Sequence, residues 1–236
     1  MSATITIYIN DQAYEVEPNQ NLLNACQKHQ IDLPALCYFD GLSTVGACRL
    51  CLVEIEGSSK LLPACATPVT ANQKIRTNTD RLKKYRRMTV ELFFAERNHT
   101  CSVCVANQHC ELQNLAYHVG MEHVRFPYLF QDCHLDASHE KFVIDHNRCI
   151  MCTRCVRVCD EVEGAHNWDV MGRGFRSRII ADFNQPWGES TTCTSCGKCL
   201  EVCPTGALWP KDATQGQFKK NPFHISELIE KKKVRS

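Results

Sequence analysis

The hydrophobic period of the chain changes several times in its first hundred residues. Thr4-Ile5-Thr6-Ile7-Tyr8-Ile9 alternates polar and apolar positions, the period of a half-buried strand, and Asn10-Asp11 follows as a turn signal. Gln12 to Val16 predicts the returning strand. After the Pro18-Asn19 start signal, Leu22, Leu23, Cys26 and His29 fall at helical spacing and predict a helix over Asn21 to Gln30. Alternation returns at Leu52 to Glu56, Lys60 to Val69 brings in Cys65, and Lys74 to Thr79 predicts a last strand. Asp80 to Arg97 predicts one helix, with Leu82, Tyr85, Met88, Leu92 and Phe93 as its apolar stripe and the basic run Arg81 to Arg87 as a solvated face. Further strands are predicted at Lys141 to Asp145 and Ser177 to Ala181, with Gly172 and Gly174 as turn residues. Glu227 to Lys233 predicts a short helix, and Lys231-Lys232-Lys233 a solvated end.

Seventeen cysteines in 236 residues change this picture, because they fall into sets. The most specific sets are C-I-M-C-T-R-C-V-R-V-C from Cys149 to Cys159 and C-T-S-C-G-K-C-L-E-V-C-P from Cys193 onward. Each reads C-x2-C-x2-C-x3-C, the spacing of two-cluster bacterial ferredoxins, in which the fourth cysteine serves the other cluster. One [4Fe–4S] cluster is therefore expected on Cys149, Cys152, Cys155 and Cys203. The second is expected on Cys193, Cys196, Cys199 and Cys159. Zinc is the alternative for paired C-x2-C motifs, but it takes four ligands in two pairs, whereas here each set is a triplet plus one.

The N-terminal order of hairpin, helix, ligand loop and strands is that of a β-grasp, plant-ferredoxin-like domain. Cys37, Cys48, Cys51 and Cys65 give C-x10-C-x2-C-x13-C. Plant-type ferredoxins carry C-x4-C-x2-C with a remote fourth cysteine, so the first interval departs while the order is kept. Gly41 and Gly46-Ala47 are small enough to let backbone N–H groups approach bridging sulfides, and a [2Fe–2S] cluster is expected here. Cys26 falls outside the pattern, on the apolar helix face, and reads as a small buried hydrophobe. Cys133 has no partner by spacing and reads as a structural thiol.

Composition narrows the class. The N-terminus has neither a basic n-region nor an apolar h-region, so no signal peptide is expected. No run approaches the ~18 apolar residues of a membrane span. Metal-bound thiolates in a reducing cytoplasm fit the cysteines better than disulfides. A net charge of +1 gives no argument for nucleic acid. No G-x-G-x-x-G, P-loop or nucleophile–base pair occurs, so neither NAD nor flavin is bound recognisably and no turnover site is expected. What remains is an electron carrier.

Between the two cluster regions lies His99-Thr100-Cys101-Ser102-Val103-Cys104, followed by His109-Cys110-Glu111-Leu112-Gln113. Three cysteines, Cys101, Cys104 and Cys110, lack a fourth, and imidazole is the obvious substitute ligand. C-x2-C-x5-C-E-L-Q, set between a [2Fe–2S] domain and a double ferredoxin motif, resembles the N-terminal third of the large iron–sulfur subunit of respiratory complex I. The same set recurs in iron-only hydrogenases and in the diaphorase iron–sulfur subunit of NAD-reducing nickel–iron hydrogenases. Ala95-Glu96-Arg97-Asn98-His99, Cys101 to Gln113 and Asn147-Arg148-Cys149 look most like the last, in its cyanobacterial bidirectional form. The likeness runs to about residue 210. In complex I the ligand histidine stands four residues before the first cysteine, a position held here by Arg97, which cannot bind iron. The resemblance thus implies His99 as the ligand of a third [4Fe–4S] cluster, with His109 as its rival.

The expected fold is α+β. It comprises a β-grasp [2Fe–2S] domain over 1–79, a small helical domain over 80–138 holding the histidine-ligated [4Fe–4S] cluster, a 2[4Fe–4S] ferredoxin-like domain over 139–210, and a charged tail over 211–236. The resemblance implies a hetero-oligomer, with an NAD(P)H/FMN-binding diaphorase subunit at one end of the wire and a [NiFe] hydrogenase small subunit at the other. The equivalent wire of an NADH dehydrogenase or an NAD-dependent formate dehydrogenase is the second reading. The 33 residues after Cys203 are too few for the molybdopterin-type domain that follows in complex I, so a separate polypeptide is expected to take the electrons.

Overall fold

The computed structural model describes residues 4–129 and 131–235, with the side chains of 233–235 excepted. Met1 to Ala3 of the expected first domain, and Ser236 of the expected tail, lie outside the described residues. The chain divides into two compact units: residues up to Tyr38 with Thr44–Thr89, and Phe39–Ser43 with residues from Val90 on.

In the first unit, β1 (Ile5–Ile9) pairs antiparallel with β2 (Gln12–Val16). Asn10 and Asp11 both turn left-handed, at φ 51° and 69°, as a two-residue hairpin loop requires. Helix α1 (Leu22–Lys28) is shorter than its period suggests. The Asn21 side chain caps it by accepting the Asn24 N–H at 2.8 Å, and left-handed Gln30 ends the run. β3 (Leu52–Ile55), β4 (Leu62–Pro63) and β5 (Lys74–Arg76) complete a five-stranded sheet in the order β2-β1-β5-β3-β4, with β5 parallel to β1. Ile7, Ile9, Leu22, Leu23 and Val53 form the core beneath α1. Cys26 lies in that core with no exposed surface, and burial pushes its thiol up to about 11.

Helix α2 (Asp80–Glu96) forms where expected and buries Leu82 of its apolar stripe, with Met88 and Phe93 half-buried, but polar residues share the buried face. Tyr85 and Leu92, placed in the apolar stripe, are 38% and 45% exposed, while Arg86 and Glu91 are buried. The reason is polar satisfaction. Arg86, assigned to the solvated basic run, donates to the Leu50 and Leu52 carbonyls at 3.1 and 2.9 Å, where the chain enters β3. Glu91 accepts from Arg125 Nε through both carboxylate oxygens, at 2.9 and 3.0 Å. A buried charge is tolerated when it is paired in this way.

Beyond α2, the second unit contains α3 (Glu111–His118) and an antiparallel sheet of β6 (Leu135–Asp136) and β7 (Phe142–Asp145). Helix α4 (Arg154–Arg157) continues as a π-helical turn over Val158–Glu163. β8 (Trp168–Met171) and β9 (Arg178–Ala181) make a hairpin, of which the sequence predicted only the second strand. Helix α5 (Lys198–Val202) stops before Pro204, and β10 (Leu208–Pro210) returns to pair with β7. The C-terminal helix α6 (Pro222–Arg235) starts five residues earlier than expected, with proline in its first turn. The stretch read as a charged tail packs closely. Ile225 and Ile229 are buried, and the Gly216 and Phe218 N–H groups donate to the Cys104 and Val105 carbonyls at 3.1 Å each. Lys231 and Lys232 are exposed, and the Lys233 side chain lies outside the described residues. Among the described residues no helix is long and apolar enough to cross a membrane.

Candidate metal centres

Cys37, Cys48, Cys51 and Cys65 are all buried in the first unit. Their thiols touch: Cys37 with Cys48 and Cys65, and Cys51 with Cys65. Hydrogen bonds from the Cys48 and Cys65 thiols and from the Cys48 and Ala47 amides hold Cys37 far below the usual thiol range. Left-handed Gly46 and Arg49, at φ 63° and 55°, curl the loop that carries these amides. Such a loop is a nest for an anion, and the four thiolates of a [2Fe–2S] cluster carry that charge.

In the second unit a cavity is lined by His99, Cys101, Cys104, Cys110, Arg148 and Gly206. Cys101 opens a 3-10 turn, and Cys110 stands at the N-cap of α3. His99 Nε2 is fully shielded from solvent and has no hydrogen-bond partner. Burial, with the Arg148 and Arg97 charges, holds the imidazole down to about 4, so it is neutral. Burial also pushes the Cys110 thiol up to about 11. An orphaned ring nitrogen beside three thiols fits a metal group that takes one nitrogen and three sulfurs. His109 does not line this cavity. Arg97 is buried and serves structure instead: its guanidinium donates to Cys133 Sγ at 3.0 Å, the Ser177 carbonyl at 2.7 Å and the His146 carbonyl at 3.3 Å.

The two ferredoxin-type loops share their backbone form. Met151 and Thr153 are left-handed at φ 52° and 57°, and Ser195 and Gly197, at the same places in the second motif, at 56° and 74°. Cys149, Cys152 and Cys155 each lie in the field of Cys203, whereas Cys159 lies in that of Cys193 and Cys196. Cys159, Cys193, Cys196 and Cys199 line one cavity. The fourth cysteine of each motif therefore neighbours the triplet of the other. Burial pushes Cys149 up to about 11 and Cys152 up to about 12, the cost of a thiolate with no cation on it. Among the described residues no three His, Cys, Asp or Glu side chains close on a single point, as one ion would need. The thiols of a cube each bind a different iron and stand further apart.

Three family models match: a 2Fe-2S iron-sulfur cluster binding domain over residues 2–80, an NADH-ubiquinone oxidoreductase-G iron-sulfur binding region over 86–125, and the ferredoxin-like domain of NADH-quinone oxidoreductase subunit 3 over 141–209. A chain in the crystal structure of an NAD+-reducing [NiFe]-hydrogenase in the H2-reduced state superposes with a TM-score of 0.84 at 32% identity, covering 90% of this chain and 89% of that one. This chain belongs to that family of iron–sulfur electron-transfer subunits. Curated relatives extend the family in both directions. NADP-reducing hydrogenase subunit HndD of Solidesulfovibrio fructosivorans is 35% identical over 86% of this chain, and the NADH-ubiquinone oxidoreductase 75 kDa subunit of Reclinomonas americana is 32% identical over 88%. This chain spans only 36% and 29% of their lengths.

Several residues that shape the surroundings of the thiols carried no signal in the cysteine spacing. A Cβ on Gly206 would lie 2.3 Å from Cys104 Sγ, so only glycine fits there. Trp187 Nε1 donates to Cys193 Sγ at 3.3 Å. Trp168 and His139 also reach the sulfurs of the second motif. Gly206, Trp168 and His139 lie far along the chain from the cysteines they touch, and Trp187, six residues before Cys193, lies outside the repeated spacing.

Proposed function

We propose that the chain carries electrons through one [2Fe–2S] and three [4Fe–4S] clusters, between an NAD(P)H/FMN-binding diaphorase subunit and a [NiFe] hydrogenase small subunit of a cytoplasmic hetero-oligomer. It has no turnover site of its own. Cys37, Cys48, Cys51 and Cys65 hold the [2Fe–2S] cluster of a first domain, residues 1–79. His99, Cys101, Cys104 and Cys110 hold one [4Fe–4S] cluster in residues 80–138. The crossed sets, Cys149, Cys152, Cys155 with Cys203 and Cys193, Cys196, Cys199 with Cys159, hold two more in residues 139–210. The observation that carries the count of three is the unpartnered nitrogen of His99, a residue that lines one cavity with Cys101, Cys104 and Cys110. When bound, such clusters supply one-electron steps, and a neutral imidazole in place of a thiolate raises the potential of its site.

Anaerobic iron analysis of the full chain tests the cluster count. About 14 iron atoms per chain are expected from these four clusters. A value near 10 would remove one cube, and stoichiometric zinc would overturn the reading. The partners are tested by mass spectrometry of the native complex, which should contain a nickel-bearing subunit and couple hydrogen oxidation to NAD(P) reduction. The likeness to the NADH-ubiquinone oxidoreductase 75 kDa subunit supports the second reading. A complex that oxidises NADH but contains neither nickel nor hydrogenase activity would establish it.

A further inference from the structure

Two buried tryptophans surround one of the proposed cubes with N–H groups. Trp187 is 1% exposed and donates its indole N–H to Cys193 Sγ at 3.3 Å. Trp168, opening β8 and 5% exposed, hydrogen-bonds through its side chain to the Cys199 sulfur. The two rings pack edge to face, 4.6 Å apart at 61°. The backbone N–H groups of Asn167 and Trp168 are directed at Cys159. Trp187 is itself fixed: its backbone N–H donates to Asp136 Oδ2 at 2.7 Å, and its ring lies against His139 and Phe142. His139 Nδ1 accepts the Lys141 and Phe142 N–H groups at 3.0 and 3.2 Å, and its Nε2 lies 3.1 Å from Ser195 Oγ and 3.9 Å from Cys193 Sγ.

The first motif is surrounded differently. Cys149, which corresponds to Cys193, receives the Met151 N–H at 3.4 Å and lies 3.8 Å from the Met151 thioether, and the buried Arg154 guanidinium lies in the field of Cys152 and Cys203. An indole N–H only donates and does not titrate in the working pH range. One-electron reduction adds a negative charge to a cluster, and a buried N–H dipole aimed at its sulfur stabilises that charge.

We propose that Trp168 and Trp187 form a fixed donor pair that raises the reduction potential of the cluster on Cys159, Cys193, Cys196 and Cys199. The inference rests on the ligand assignment above and adds to it two positioning residues that act through the cysteines.

The test is an EPR-monitored redox titration of the full chain, reduced with dithionite, for Trp168→Phe, Trp187→Phe and the double variant. Phenylalanine keeps an aromatic ring in the packing and removes the N–H. Iron content is expected to stay at the wild-type value, and the first-motif cluster should keep its midpoint. At a fixed ambient potential the reduced-to-oxidised ratio of the second-motif cluster should fall about fivefold for each N–H removed, the worth of one net hydrogen bond. At 59 mV per decade that is about 40 mV. An unmoved midpoint in the double variant with full iron overturns the donor role. A wild-type chain lacking this cluster overturns the ligand assignment instead. Should a variant lose its cluster, pulsed EPR on wild-type protein grown with 15N-indole tryptophan decides: coupling of the reduced cluster to 15N supports the pair, and its absence overturns it.

Discussion

Replacing Gly206 by alanine puts a methyl carbon 2.3 Å from Cys104 Sγ and 3.3 Å from the Ala106 methyl. An ordinary non-bonded contact between heavy atoms of this size lies at about 3.5–4.0 Å, so more than 1 Å of overlap must be relieved. Cys104 is buried, and its own carbonyl is tied to the Gly216 N–H, so the sulfur has little room to retreat. Overpacking of a tight interior costs about 1–3 kcal/mol, and here the atom displaced is a proposed iron ligand. Gly206→Ala should therefore lower iron by about one cube and remove one EPR signal, leaving the [2Fe–2S] signal intact. Gly57→Ala is the control. Gly57 is left-handed at φ 84°, but a methyl added there meets nothing within 4 Å, so it tests backbone strain without the clash. Full iron and an unchanged spectrum in Gly206→Ala would refute the argument, because they would mean that Cys104 can move freely.

Two further outcomes follow from the same geometry. His99→Ala should lose about four irons of the expected total and His109→Ala none, as judged by anaerobic iron assay; the reverse would hand the ligand role to His109. Cys159→Ala should alter the EPR signal of the Cys193 set and spare that of the Cys149 set, and a change confined to the latter would break the crossed assignment.

The cysteine sets could be read because ligation is written in short intervals, and the first hairpin because Ile5, Ile7 and Ile9 alternate without interruption before Asn10-Asp11. The polar part of the buried face of α2 could not. It depends on Arg86 finding two carbonyls 36 and 34 residues away and on Glu91 finding Arg125, pairings that no local period records. β8 escaped for a related reason: Asp169 and Val170 are exposed on it, so the hydrophobic alternation of a half-buried strand is missing. The choice between His99 and His109 needed the surroundings of each ring. Both lie close to the cysteines in sequence, and only the fold turns one nitrogen into a closed space.

The matched left-handed turns of the two ferredoxin loops carry an inequality. Gly197 adopts its conformation at no steric cost, while Thr153, branched at Cβ, meets the same demand in the first loop. A residue so placed stores about 1–3 kcal/mol, which its surroundings must offset. The same turn is therefore free of strain at Cys193 and held against strain at Cys149, so the first loop leans on its packing for a shape that the second adopts unaided.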